Sequence, residues 1–276
     1  MSAPHPFWGR RAVIATKHGK ERVIDPLLRS WLHLFGEVLP LDTDVFGTFT
    51  GEIARTGSQR EALRAKLRAA AEVTPYDAVF VASEGSFFPD PAFPLATVGR
   101  ELVALYDRER DLEIIGVCVT SETNAGTFDV SDDGEIDHAL SAIGFPSHAV
   151  VLRAGEALEK GVWSRTRINE FARLARRNGS KLRIESDMRA HVNPTRMAAI
   201  ESAAYDAVER SLSRCPACTR PGFWWDEAVP GLPCAACDEP TELMRERIRR
   251  CAGCGFSAAQ LQHGRADPSH CGVCNP

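Results

Sequence analysis

Residues 12–20 read AVIATKHGK: four apolar residues and a threonine run into a polar turn containing glycine, and a helical pattern then continues to Phe35. Strand (Ala12–Thr16), loop and helix in that order form the repeating unit of α/β proteins. A second apolar run, Glu37–Leu41, leads into Asp42–Glu52 (DTDVFGTFTGE), which is too rich in Gly, Thr and Asp for regular structure and reads as a long functional loop. Ser58–Val73 (SQREALRAKLRAAAEV) consists of strong helix formers, with Ser58 and Glu61 spaced as a capping box. Asp77–Ser83 (DAVFVAS) reads as a buried strand that ends in Glu84-Gly85-Ser86-Phe87 and a proline-rich loop to Pro94. Glu101–Tyr106 and Glu113–Thr120 flank the polar turn Asp107–Asp111, which suits a hairpin and makes the sheet mixed. Downstream come a helix near Glu135–Ile143, a strand at His148–Leu152, a helix near Arg165–Arg177, a strand at Lys181–Glu185 and a long helix from Pro194 to about Ser213. The reading is therefore α/β, a mixed sheet flanked by helices, over residues 1–213.

Bulk properties narrow the function. The chain has 276 residues, 44% hydrophobic and 25% charged, which is the composition of a globular protein and not of a disordered one. Its formal charge is −4, so it has no overall attraction to nucleic acid or to an anionic membrane. The opening segment lacks the uninterrupted apolar run of a signal peptide, and no stretch of about 18 apolar residues occurs. The expectation is a cytoplasmic protein with no membrane partner; oligomeric state is not legible.

Eight of the nine cysteines fall in residues 214–276, as Cys215/Cys218, Cys234/Cys237, Cys251/Cys254 and Cys271/Cys274. Two residues between cysteines let both thiolates of a knuckle face one tetrahedral ion, and two knuckles complete a closed site. Eight ligands make two structural zinc ions in a small ribbon-like module. Sequential use of neighbouring knuckles is the simplest pairing; a crossed one would join Cys215/Cys218 to Cys251/Cys254. Four thiolates leave no open position for a reacting water, so catalytic zinc is disfavoured, as are disulfides in a cytoplasmic chain. The ninth, Cys118, lies between valines and reads as a small core residue. Arg245, Arg247 and Arg249 alternate along an expected strand and, with Phe223, Trp224 and Trp225, offer a surface for nucleic acid. The simpler reading is a solvated strand face over a small aromatic core.

Polar residues gather at the expected strand ends of the amino-terminal part: Thr16, Lys17, His18 and Lys20; Asp42, Asp44, Glu52 and Arg55; Ser83 and Glu84; and Asp187, Arg189, His191, Asn193 and Arg196 ahead of the last helix. Loops at one edge of an α/β sheet converge on one crevice. Lysines beside a helix N-terminus favour phosphate, and Glu52, Glu84 and Asp44 are candidates to hold Mg2+ and activate water. Asn193 reads equally as a helix cap. Lys66 shares its helix with Arg60, Arg64 and Arg68 and reads as part of a solvated basic face. No nucleophile–base pair with a recognisable elbow is visible, so acyl transfer through Ser83 or Ser86 is a minor alternative. The leading expectation is a protein that binds and hydrolyses a nucleotide or other phosphorylated small molecule. The rival is a non-enzymatic adaptor whose zinc module contacts nucleic acid or a protein.

The motifs ATKHGK, FGTFTGE-x2-RTG-x4-AL-x2-K (Phe46–Lys66), VFVASEGSF (Val79–Phe87) and NPTRMAAIESA (Asn193–Ala203) together resemble the inosine/xanthosine triphosphate pyrophosphatase-like superfamily. The resemblance covers about the first 110 residues and a patch near 185–200. It implies a divided sheet with a cleft, Mg2+, and release of pyrophosphate from a non-standard nucleoside triphosphate, with His191 and Arg196 near the base. Across its whole length, through TDxFGTFTGE, SEGSF, DMRAHxNPTRM and the cysteine tail, the chain also resembles a bacterial family of unassigned function with a C-terminal double zinc ribbon.

Overall fold

A computed structural model describes residues 4–41, 57–90 and 93–276. They divide into two compact units, residues 1–208 and 209–276. Among the described residues no helix is long and apolar enough to cross a membrane.

The first unit opens with β1 (Arg11–Ala15), α1 (Glu21–Leu32), β2 (Phe35–Leu39), α2 (Gln59–Val73) and β3 (Val79–Pro89), with β4 (Thr97–Asp107) and β5 (Leu112–Thr120) following. The five strands form one mixed sheet in the order β2-β1-β3-β4-β5. β1 is parallel to both of its neighbours, and β3, β4 and β5 are antiparallel in turn. The expected hairpin is therefore present. The helix expected to reach Phe35 stops at Leu32, where His33 takes a left-handed φ of 51° and Phe35 starts β2.

Alternation along the strands assigns the two faces. Ala12 and Ile14 of β1 and Val79 and Val81 of β3 pack with Ile24, Leu28 and Leu32 of α1. Val13, Ala15, Phe80 and Ala82 pack with Leu63, Leu67 and Ala70 of α2. The helices that follow β1 and β2 thus cover opposite faces, and the C-terminal end of β1 lies at a topological switch point, where α/β sheets leave a crevice. Ser58 caps α2: its side chain accepts from the Glu61 amide at 3.3 Å while Glu61 accepts from the Ser58 amide at 2.6 Å. Ser58→Ala is expected to lower stability in urea by about 1 kcal/mol; an unchanged midpoint would show that the cap contributes nothing.

A second sheet, not separately legible in the sequence, joins β6 (Thr127–Val130), β7 (Val150–Ala154), β8 (Ala157–Val162) and β9 (Leu182–Ser186) in the order β6-β9-β7-β8. Its core includes Ile136 and Leu140 of α3 (Asp133–Ile143) and Ile168 and Phe171 of α4 (Arg165–Arg177). From β9 the chain returns to the first sheet through a short turn at Ala190–Val192 and enters α5 (Pro194–Leu212). Ile200, Ala203, Ala204 and Ala207 of α5 pack on the same face as α1. Gly116 in β5 permits this approach, because a Cβ there would collide with the Ala203 carbonyl and the Ala207 amide. Cys118 is partly buried against the same core.

The second unit carries β10 (Trp225–Pro230), β11 (Met244–Arg250) and β12 (Ser257–Leu261), an antiparallel sheet in chain order.

Candidate functional site

β3 is longer than the sequence suggests, and its length creates the site. Glu84–Phe87, expected beyond a strand end, instead continues β3 and pairs with β4. β1 accompanies β3 only as far as the Ala15–Ala82 pair. Past that point no described strand pairs with this edge of β3, and side chains from both faces of the sheet meet there.

On the α1/α5 face, the Lys20 ammonium lies 2.9 Å from the Ser83 hydroxyl. Arg196, in the first turn of α5, donates from Nε to Glu101 Oε1 at 2.7 Å and from Nη1 to the Met188 carbonyl. Glu101 stands opposite Gly85 on β4, and glycine is required there, since a Cβ would strike both the Glu101 carboxylate and the Arg196 guanidinium. Asn193 caps α5 by accepting from the Arg196 amide at 3.0 Å. On the other face Lys66 of α2 pairs with Glu84 and lies 3.4 Å from the Ser83 carbonyl. Gln59 ties the strands beneath, donating at 2.8 Å to the carbonyls of Glu84 and Arg100.

All five charged groups are buried: Lys20, Lys66 and Arg196 against Glu84 and Glu101. Three cations face two carboxylates, so with every group ionised the cluster carries a surplus positive charge. The surplus falls on Lys20. Burial, with Arg196 and then Lys66 acting in the same direction against Glu101 and Glu84, pushes its ammonium from the ordinary 10.5 down to about 7. Between those values the folded chain binds fewer protons than the unfolded one, so on this group's account stability rises with pH from about 7 to 10.5. Among the described residues two buried oxygens, Thr16 Oγ1 and Glu101 Oε2, have no hydrogen-bond partner. Buried polar atoms are nearly always paired, and an unpaired one costs about 1–3 kcal/mol. Both face the side of the sheet that carries Lys20.

The β1–α1 loop also meets the segment before α5. Gly19, at a left-handed φ of 69°, lies against His191, and the rings of His18 and His191 stack with centroids 5.1 Å apart. Burial, reinforced by Arg189 and Arg22 and opposed by Asp187, pushes the His191 imidazole below its ordinary value. Beside this loop a cleft of about 450 Å³ is lined by Thr16, Lys17, Gly19, Glu21, Val38, Pro40 and Leu41.

Thr16, Lys20, Ser83, Glu84 and Arg196 thus come together, with His18 and His191 adjacent, and Lys17 lines the cleft. Asp187 and Arg189 serve another purpose. Asp187 accepts from the Gly161 amide at 2.9 Å and from Arg189 Nη2 at 2.6 Å, which clips β8 to the turn. Burial alone would raise its pKa, but the Arg189 hydrogen bonds outweigh it and hold the carboxyl below its usual range. Asp42, Asp44, Glu52 and Arg55 lie outside the described residues. Glu84, expected as a candidate metal or general-base residue, is ion-paired with Lys66, and Lys66, expected on a solvated helix face, is instead buried. Sequence reasoning missed Glu101 and Gln59. A lone carboxylate at the start of an apolar strand was the one signal for Glu101, and nothing marked Gln59.

In the second unit the cysteines form two groups, Cys215, Cys218, Cys251 and Cys254, and Cys234, Cys237, Cys271 and Cys274. The pairing is crossed, not sequential: the strands β10–β12 bring alternate knuckles together. Sulfur separations between knuckles are 3.7 and 3.5 Å in the first group and 3.9 and 3.6 Å in the second. Four sulfurs bound tetrahedrally at about 2.3 Å from zinc would sit about 3.8 Å apart, and a disulfide would need about 2.05 Å. Both groups can therefore hold a zinc ion. The knuckles share one backbone device. The amide four residues on returns to the first cysteine's carbonyl at 2.8 Å from Thr219, 3.1 Å from Asp238, 2.9 Å from Gly255 and 2.8 Å from Asn275. The amides of Cys274 and Val273 pull the Cys271 thiol down to about 7, toward the thiolate that a metal requires.

Arg247 and Arg249 of β11 each lie 4.5 Å from the centre of the Trp225 ring, and Arg249 also 4.6 Å from that of Phe223. The aromatics and arginines of this sheet thus stack on one another, which fits a small self-contained core.

Fold and site define an α/β protein with a buried, cation-rich cluster of side chains at a sheet switch point, carrying in the same chain a module with two interleaved tetracysteine groups. The chain belongs to the family described as Domain of unknown function (DUF6671), which matches residues 66–276 and so includes Lys66, Glu84, Glu101, Arg196 and all eight clustered cysteines. No curated protein matches the chain. Neither finding supports the pyrophosphatase-like resemblance.

Proposed function

We propose that the amino-terminal unit binds and turns over a phosphorylated small molecule, a nucleotide in the simplest case, at the edge of β3 past its pairing with β1, and that each tetracysteine group holds a structural Zn2+. What carries the reading is the buried Lys20–Lys66–Arg196 set, whose charge Glu84 and Glu101 do not fully balance. A buried cation without a counter-charge is costly, and a bound phosphate would supply one. The N-terminus of α1, with Lys20 as its N-cap residue, adds amide donors and a favourable dipole.

The narrower reading is Mg2+-assisted release of pyrophosphate from a non-standard nucleoside triphosphate. It needs carboxylates free to hold the ion; Lys66 occupies Glu84, and Asp44 and Glu52 lie outside the described residues. The broader reading is therefore the one adopted.

Thermal melting of the intact protein with inorganic phosphate, pyrophosphate and a panel of nucleoside triphosphates tests it, with phosphate release assayed in parallel. A ligand at a hundred times its Kd adds about 2.7 kcal/mol, which raises the midpoint by roughly 5–10 °C in a unit of this size. No shift with any of these anions at millimolar concentration would remove the proposal.

A further inference from the structure

The contact between Lys20 and Ser83 assigns more than binding. Ser83 Oγ and Lys20 Nζ are 2.9 Å apart, within the 2.6–3.2 Å over which a base can take a nucleophile's proton. Both groups are buried, which strengthens the interaction between them. Ser83 and Thr16 each stand one residue beyond the last β1–β3 pair, on the same face, and Thr16 Oγ1 is a buried hydroxyl without a partner among the described residues. The carbonyl of Ser83 is fixed from behind by Lys66.

We propose that Ser83 is a nucleophile and Lys20 its general base, so that the pocket transfers the phosphoryl group of its ligand through a covalent phosphoserine. The proposal rests on the anion-binding reading given above and deepens it. In the first half-reaction Ser83 Oγ bonds to phosphorus as the bond from phosphorus to the leaving oxygen breaks. The serine proton passes to Lys20 Nζ and from there to the leaving oxygen. In the second, water gives its proton to Lys20 and its oxygen to phosphorus, the bond from phosphorus to Ser83 Oγ breaks, and Lys20 returns the proton to the serine. Arg196 and Lys66 supply charge for the transferring group.

A lysine serves as a base only when neutral. The groups facing Lys20 are Arg196 from α5, Lys66 from α2, Glu101 from β4, and Glu84 and Ser83 from β3. Burial and the two cations outweigh the two carboxylates and hold Lys20 at about 7, so it is neutral in a large share of molecules at physiological pH.

A small alkyl fluorophosphonate tests the pair, since it phosphonylates an activated serine with loss of fluoride. Intact mass and peptide mapping are expected to place one adduct on Ser83, formed at a rate that rises with pH and is half-maximal near pH 7. Pyrophosphate should protect. Ser83→Ala should abolish the adduct. Lys20→Arg keeps the charge but cannot accept a proton near neutrality, and it should slow labelling at least about 100-fold. If pyrophosphate raises the thermal midpoint of the unmodified chain yet Ser83 stays unlabelled from pH 5.5 to 9, or is labelled at a rate indifferent to pH, the dyad is overturned while the anion pocket stands. If there is neither a shift nor labelling, both fall.

Discussion

A chain carrying Cys215→Ser with Cys251→Ser is expected to keep one zinc ion, and a chain carrying Cys215→Ser with Cys234→Ser to keep none. The crossed pairing dictates this contrast. Cys215 and Cys251 ligate the same group, so their loss leaves Cys234, Cys237, Cys271 and Cys274 intact, whereas the second pair of substitutions damages both groups. Sequential pairing predicts the reverse, and metal content per chain of the purified variants separates the two. The effect on folding should be large, because a structural zinc in a small module contributes about 10–16 kcal/mol in apparent binding free energy. The second unit's apolar cluster is small, Cys215, Phe223 and Cys251 with Ala258 packed against it. Chelation of both ions is expected to unfold residues 209–276, and interleaving means that losing either site loosens the sheet serving the other.

Lys66→Met is expected to destabilise the amino-terminal unit by about 3–5 kcal/mol, measured by urea unfolding, because it removes the ion-pair partner of a carboxylate held in the interior. Side-chain exposure is 6% for Lys66 and 10% for Glu84, so water cannot replace the lost partner. The double variant Lys66→Met/Glu84→Gln should recover most of that loss, since it removes both members of the buried ion pair. A lysine on a solvated helix face, which is what the run of Arg60, Arg64, Lys66 and Arg68 suggests, would change stability by no more than about 0.5 kcal/mol. An effect that small would place Lys66 outside the buried cluster.

What could be read in advance was local. The β1–loop–α1 unit and the capping box at Ser58 are written in consecutive residues, and the CxxC spacing identifies ligands without any knowledge of the chain's path. What could not be read depends on partners distant in sequence. Glu84–Phe87 looks like a loop because it is polar, yet it is strand because β4 lies alongside and Gly85 leaves room for Glu101. Lys66 looks solvated because its helix neighbours are charged, but α2 turns it toward Glu84 while Arg64, two residues earlier, reaches Glu113 in a more exposed ion pair. The knuckle pairing is equally invisible, since both arrangements use the same eight cysteines and only the order of β10, β11 and β12 chooses between them.

Titration of sulfate into the intact protein at pH 6 and at pH 8.5 tests the anion pocket most directly, because sulfate keeps two charges across that range and any change belongs to the protein. The account predicts saturable binding that is tighter at pH 6 and weakens above about 7, as Lys20 loses its proton, by at most about tenfold per pH unit for a single linked proton. Absence of saturable binding at both values would contradict it.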